Sequence, residues 1–150
     1  MRMLNLLMGL ALVISLGSCN QDLNTTILGK KDVPLEGSQE VPAKAVAANG
    51  TMDLAYNRTT RTLTYTVRWN SLTGPITGMH IHGSAGPGFN AGIVQNFTGY
   101  STAQAGSYSG TFLVDGLVVK EDDFLRGGYY LNIHTALNPG GEIRGQIKFD

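Results

Sequence analysis

The 150-residue chain contains a single cysteine, Cys19, so no internal disulfide can brace it and its domain must rest on a hydrophobic core. Charge is sparse and balanced, with 11 basic and 11 acidic residues. A balance of that kind lacks the positive footprint of a nucleic-acid-binding surface. No apolar run reaches the roughly 20 residues that cross a bilayer as a helix. A G-x-S-x-G nucleophile elbow and a phosphate loop of the usual wording are both missing. Asp122 and Asp123 beside Glu121 lack the spaced oxygen ligands of a calcium loop and fit a solvated helix start instead.

The N-terminus is what a targeting segment looks like. Arg2 supplies a positive charge, and Leu4 to Leu16 form a short apolar run interrupted by Asn5, Gly9 and Ser15. It ends in Leu16-Gly17-Ser18-Cys19, the small-residue pattern after which lipoprotein signal peptides are cut and the new N-terminal cysteine is acylated. Residues 1–18 are therefore expected to be a cleaved lipoprotein signal peptide. Residues 19–32 are expected to be the lipidated Cys19 and a flexible polar tether, and residues 33–150 one β domain. Cleavage removes Arg2, leaving ten basic against eleven acidic residues and a formal charge of −1. The expected address is the bacterial cell envelope, with the membrane as a partner through the lipid on Cys19. Multiple acyl chains, at about 0.8 kcal/mol per buried methylene, would hold it far longer than one chain.

From Val33 onward, apolar residues recur with a period of two between turns rich in Gly, Asn and Pro, and helical periodicity is nearly absent. In Arg61 to Trp69, Leu63, Tyr65, Val67 and Trp69 share one face and Thr62, Thr64, Thr66 and Arg68 the other. Gly50 to Tyr56 alternates in the same way, and residues 57–60 can close a hairpin between the two. Further strands are expected near 76–82, 92–98, 107–114, 128–134 and 142–149, with one helical turn at Lys120 to Arg126. Seven or eight short strands predict an all-β fold, an antiparallel β-sandwich of Greek-key, immunoglobulin-like or superoxide-dismutase-like type, with a closed barrel as the alternative.

All three histidines fall in two of these segments. His80 and His82 flank Ile81, so an extended backbone points both imidazoles the same way. In Tyr129 to His134, alternation places Leu131 and Ile133 on one face and Tyr130, Asn132 and His134 on the other. With Met79, Ile81, Leu131 and Ile133 in the core, the three imidazoles face away from it and converge if the strands are neighbours. Neutral imidazole suits copper or zinc. Glu40 or Glu142 could complete such a site or orient a ligand. A bland account competes, in which the histidines are hydrogen-bonding residues at strand ends. In the last strand Ile143, Ile147 and Phe149 are expected inward and Glu142, Arg144, Gln146 and Lys148 outward, with Glu142 and Arg144 pairing with each other or fixing Asn132 and His134. Tyr100, Tyr108, Tyr129 and Tyr130 could line a carbohydrate or protein surface, though strand tyrosines more often pack over a sheet edge with their hydroxyls in water.

Three stretches carry a family resemblance: His80-Ile81-His82-Gly83-Ser84-Ala85-Gly86-Pro87, Gly128-Tyr129-Tyr130-Leu131-Asn132-Ile133-His134-Thr135, and Asn138-Pro139-Gly140-Gly141-Glu142-Ile143-Arg144-Gly145-Gln146-Ile147. Together with Leu35 to Pro42 they resemble the CHRD domain, named for chordin and found singly in bacterial exported proteins. The resemblance covers roughly Val33 to Asp150 and departs at Gly88-Phe89-Asn90-Ala91-Gly92. It implies a β-sandwich-like module without a catalytic activity, used in chordin within a protein that binds growth factors. The histidine strand is also similar to the His-Val-His strand of copper/zinc superoxide dismutases, a fold-level analogy.

Three functions from different classes follow. The first is a lipid-anchored, non-catalytic binding or structural module with an unidentified envelope or extracellular protein partner. The second is a copper- or zinc-binding protein using His80, His82 and His134, with Glu40, Asn132, Glu142 and Arg144 as further ligands or supports. The third is a redox enzyme of dismutase type, against which stands the count of histidines, fewer than that pattern needs.

Overall fold

The computed structural model describes residues 26–150, so the expected signal peptide and Cys19 lie outside the described residues. Eight strands form one antiparallel sheet: β1 (Ile27–Glu36), β2 (Asn49–Asn57), β3 (Thr62–Asn70), β4 (Ile76–Gly83), β5 (Ile93–Asn96), β6 (Gly106–Leu113), β7 (Tyr129–Thr135) and β8 (Ile143–Ile147). The sheet order is β5-β4-β7-β8-β1-β2-β3-β6. One short helix, α1 (Glu121–Leu125), precedes β7. The all-β antiparallel expectation holds, and the strands and helical turn read from the alternation fall within a few residues of their places.

The first strand differs. It begins at Ile27, and Ile27 to Lys30 pair with Leu54 to Asn57 of β2, so the stretch expected as tether enters the sheet before Val33. Ile27, Gly29, Lys30, Lys31 and Asp32 are exposed, which explains why apolar alternation does not mark them. Backbone pairing along a sheet does not require an apolar side chain on both faces.

The sheet curls until its two ends meet. Gln95 Nε2 in β5 donates to the Thr111 carbonyl of β6 at 3.3 Å, although these strands stand at opposite ends of the order. Phe112 of β6 and Tyr129 of β7 face each other across the interior at 6.4 Å. The result lies between a sandwich and a closed barrel, with one core that includes Leu35, Met52, Leu63, Val67, Met79, Ile81, Leu131, Ile133 and Ile143, all buried. Each such side chain contributes about 1.5–3 kcal/mol by leaving water. On β3 the Leu63, Tyr65, Val67 and Trp69 face is buried as alternation predicts.

The register also assigns two ends to the domain. Ile27 pairs with Asn57 and Thr62 with Leu113, which puts the chain entry, the β2–β3 turn and the loop after β6 together. Arg58 N–H donates to the Thr26 carbonyl and Val114 N–H to that of Arg61, tying these segments to one another. Tyr129, which opens β7 just after α1, pairs with Ile147, while the far end of β7 runs into the turn at 136–141.

Candidate metal centre

The histidines converge because β4 and β7 are neighbours. His80 pairs with Asn132 and Gly78 with His134 in the antiparallel register. Met79, Ile81, Leu131 and Ile133 occupy the core, so the alternate side chains point out of it together, as period-two geometry requires. One donor nitrogen from each of His80, His82 and His134 lies within 4.8 Å of the others. Gly78 makes room: a Cβ there would stand 2.9 Å from His80 Cε1 and 3.1 Å from Nε2.

Hydrogen bonds select which nitrogens face inward. His82 Nδ1 stands 2.9 Å from the Ala91 carbonyl and His134 Nδ1 3.0 Å from that of Pro139. A carbonyl only accepts, so each Nδ1 carries the proton, and on His82 this leaves Nε2 with a bare lone pair. His134 Nε2 stands 3.1 Å from His80 Nδ1 and 2.9 Å from Asn132 Oδ1; the amide oxygen only accepts, so that contact calls for a proton on the nitrogen, whereas a bond from His80 Nδ1 calls for its lone pair. His82 Nε2 is buried with no hydrogen-bond partner. The protein thus gathers electron pairs at one point and supplies one donor for them. Backbone carbonyls on the outer nitrogens are the supports that ligating histidines almost always have.

Electrostatics keep the rings neutral. Burial, reinforced by His134 and His82, pushes His80 down to about 4. Burial also lowers His82 and His134, against the carbonyl hydrogen bonds that pull the other way. Neutral imidazole is the form that ligates. Metal–nitrogen bonds of about 2.0–2.1 Å place tetrahedral donors roughly 3.3 Å apart, so the widest spacing of 4.8 Å needs about 1.5 Å of side-chain motion. The residues therefore fit copper or zinc with three imidazoles and an open position.

Around this centre the outer face of the sheet is not exposed as alternation predicts. Glu142, Arg144 and Gln146 are buried, and of the four side chains expected outward on the last strand only Lys148 is exposed. For Arg144 and Gln146 the cause is the β4–β5 connection, which folds back over β7 and β8, whereas Glu142 is covered by Thr73 of the β3–β4 connection. Gln146 Nε2 donates to the carbonyls of Ala85 and Gly127, and Arg144 reaches Gly86 and Asn90 at 3.4 and 3.5 Å. Asn90 in turn donates to the Val41 carbonyl, clipping that loop to the segment carrying Glu40. Tyr130 is buried for the same reason, its hydroxyl accepting from the Ala91 N–H at 3.2 Å, whereas Tyr129 points into the core against Phe112 and Phe124; neither lies over an edge.

The supporting residues separate into two groups. Glu40 is buried beside Asn132 and Arg144, with Oε1 lacking a hydrogen-bond partner. Burial pushes its carboxyl up to about 7, against the opposing pull of Arg144 and Asn132. Arg144 lies over the Tyr130 ring at 3.3 Å, and Tyr130 stacks on His82. Sequence reasoning named Glu40, Asn132 and Arg144 as supports and placed Tyr130 on the histidine face without giving it a role, since its stacking depends on the covering loop. Glu142 is committed elsewhere. It accepts from Thr73 N–H at 2.8 Å, Thr73 Oγ1 at 2.7 Å and Thr135 Oγ1 at 2.5 Å, and neither pairs with Arg144 nor touches the histidines. Burial pushes its carboxyl up, but the bonds from Thr135 and Thr73 outweigh it and hold the group below its ordinary range.

No curated protein and no solved structure matches the chain. The CHRD domain family does match it, over residues 32–147, a span that contains β2 to β8, all three histidines, Glu40 and Arg144. The three-stretch resemblance and this match coincide on the same residues, and the chain belongs to the CHRD domain family.

Proposed function

We propose that this CHRD module is a lipid-anchored protein of the bacterial envelope that binds copper or zinc through His80, His82 and His134. Membership in the family supports a binding or structural module rather than a catalyst. The observation that carries the metal reading is the hydrogen-bond pattern. Two of the three imidazoles spend their Nδ1 protons on backbone carbonyls and turn their Nε2 atoms into the cluster, and one of these, on His82, is bare and buried without a partner. A histidine cluster kept only for sheet stability would satisfy that nitrogen, since an unpaired buried acceptor costs about 1–3 kcal/mol.

Bound at this point, the metal would supply a Lewis-acidic centre with an open position, or a one-electron couple if it is copper. His82 and His134 are held by their carbonyls, and His80 gives up its hydrogen bond to His134 when both nitrogens become ligands. Asn132 and Glu40 stand behind the ligands and offset added positive charge. Storage, delivery or sensing follows more directly from this arrangement than turnover does. The anchoring rests on the Leu16-Gly17-Ser18-Cys19 pattern.

The test is calorimetric titration of copper and zinc into the chain from Asn20 to Asp150 beside the variant with His80, His82 and His134 all changed to Ala. Saturation near one equivalent in the native protein and its loss in the variant is the expected result. Weak binding that is equal in the two would overturn the metal centre and leave a module whose partner is a protein.

A further inference from the structure

Two of the most exposed apolar side chains among the described residues are adjacent, Leu117 at 83% and Val118 at 69%. They sit at the crest of the connection between β6 and α1, and that crest is held rigidly. The Asp115 carboxylate accepts from the backbone N–H groups of Leu117, Val118 and Val119 at 2.9, 3.0 and 2.9 Å. Gly116 adopts φ 80°, a left-handed value that lets the chain turn there, and its N–H returns to the Val119 carbonyl. A loop without a partner for its apolar residues has no reason to be pinned with both pointing into water. Leu113, 59% exposed at the end of β6, and Ile27, 54% exposed at the start of β1, extend the apolar surface at the same end of the domain.

That end is also where the chain enters. Thr26 is bonded to Arg58 in the β2–β3 turn, and Arg61 in the same turn is bonded to Val114. Six residues lie between Cys19 and Thr26, so seven residue steps join the two. At 3.3–3.6 Å per residue they reach at most about 25 Å. A lipid on Cys19 therefore holds this end, and not the end with the turn at 136–141, near the bilayer.

Resting on the lipoprotein reading above, we infer that Leu117 and Val118 form a membrane-contacting tip. With Cys19 acylated, the pair enters the interfacial region of the bilayer and supplies a second contact, which fixes the domain's orientation. The surrounding charge does not select an anionic surface. Arg61, Lys120 and Arg126 are offset by Glu121, Asp122 and Asp123, with Asp123 paired to Arg126 at 2.8 Å. Contact is apolar, and it is the same on zwitterionic and anionic lipid. The consequence for the metal centre is directional. β7 runs from Tyr129 at the membrane end to His134 at the other, so the turn at 136–141 and the His134 side of the cluster face away from the bilayer.

The experiment uses the full acylated chain in phosphatidylcholine vesicles, and in vesicles with added phosphatidylglycerol, doped with a nitroxide-labelled lipid. An indole is introduced by L117W in one protein and by L137W in another. Leu137 is 74% exposed in the distal turn, so neither change disturbs the core. Quenching several-fold stronger at position 117 than at 137, equal on both lipid compositions, is the expected result. Equal quenching at the two positions, or stronger quenching at 137, would overturn the tip while leaving the anchor standing. A blue-shifted indole at 117 without vesicles, growing with protein concentration, would assign the patch to a second copy of the chain and also overturn it. Mass spectrometry of Cys19 separates the two levels: if no acyl group is present, the lipoprotein reading fails and the tip fails with it.

Discussion

The His82 imidazole and the Tyr130 ring lie parallel, 2° apart with centroids 4.8 Å from each other, and the Arg144 guanidinium caps the opposite face of Tyr130 at 3.3 Å. A cation, an aromatic ring and an imidazole of the histidine cluster thus form one column through the layer beneath the covering loop. The column fixes the plane of His82, and burial, with the Arg144 charge as a smaller cause, lowers the affinity of that ring for a proton. The guanidinium has only long hydrogen bonds, 3.3–3.5 Å, and among the described residues it makes no salt bridge, so the aromatic face is its nearest partner.

Removing the middle of that column is expected to loosen the ligand. Tyr130→Leu leaves His82 without its stacking surface and opens space beside it. Copper or zinc affinity is expected to fall about tenfold or more, the range seen when supports of ligands are removed. Stability is expected to fall by about 2–4 kcal/mol for the lost buried contacts. Competition titration against a chelator and urea unfolding check the two effects separately. Unchanged affinity in a folded variant would show that the stack does not position His82.

Gly78→Ala tests the space on which His80 depends. The added Cβ would meet the ring at 2.9–3.1 Å, and the ring can swing away because it is the end of a side chain. The expected outcome is a protein of native stability to within about 1 kcal/mol whose metal affinity drops at least tenfold. Nuclear magnetic resonance of the imidazole nitrogens would report His80 moving while His82 and His134 keep their carbonyl bonds.

Glu142 separates structural from ligand roles. Glu142→Gln replaces a buried carboxylate that accepts three hydrogen bonds, and bonds to a charged group are worth about 1.5–3 kcal/mol each. Stability is expected to fall by about 2–4 kcal/mol with metal stoichiometry unchanged, because the residue pins Thr73 and Thr135 and does not face the histidines. Loss of metal at full stability would reverse that assignment.

The pH dependence of the metal-free protein has two limbs of opposite sign. His80 titrates near 4 in the folded chain against 6.5 ordinarily, and His82 and His134 are shifted downward as well. The unfolded chain holds more protons in that window, so the histidine contribution is complete above pH 6.5 and is lost as pH falls towards 4. Glu40 is raised from 4.5 to about 7, so its contribution is complete below 4.5 and is lost as pH rises through 7. Glu40→Gln is expected to remove the second limb, so that the variant gains on the native protein steadily between pH 4.5 and 7. Thermal melting across that range checks it, and parallel curves for the two proteins would show that Glu40 is not the group responsible.

Much of the fold was legible in the chain because strand alternation is a local property. Leu63, Tyr65, Val67 and Trp69 announce a buried face without reference to any other segment, and His80 and His82 declare a shared side of β4 for the same reason. Ile27 to Asp32 stayed hidden because their pairing with β2 runs through the backbone, which side-chain patterns do not record. The outward assignment of Arg144 and Gln146 failed on a different ground. Alternation tells which residues share a side of a strand, and it cannot tell whether a distant loop will cover that side.

By itself, then, the amino-acid sequence determined the all-β class, the positions of most strands, the side of the sheet on which each histidine sits, and membership in the CHRD domain family. Tertiary structure alone decided that β4 lies beside β7, that His82 and His134 turn their Nε2 atoms inward because Ala91 and Pro139 take the other nitrogens, and that Glu40 and Arg144 are buried under the β4–β5 connection. The physical reason is range. Side-chain period is set within a few residues of backbone, whereas neighbouring strands, ring tautomers and covering loops depend on partners dozens of positions away, brought close only when the sheet closes around its core.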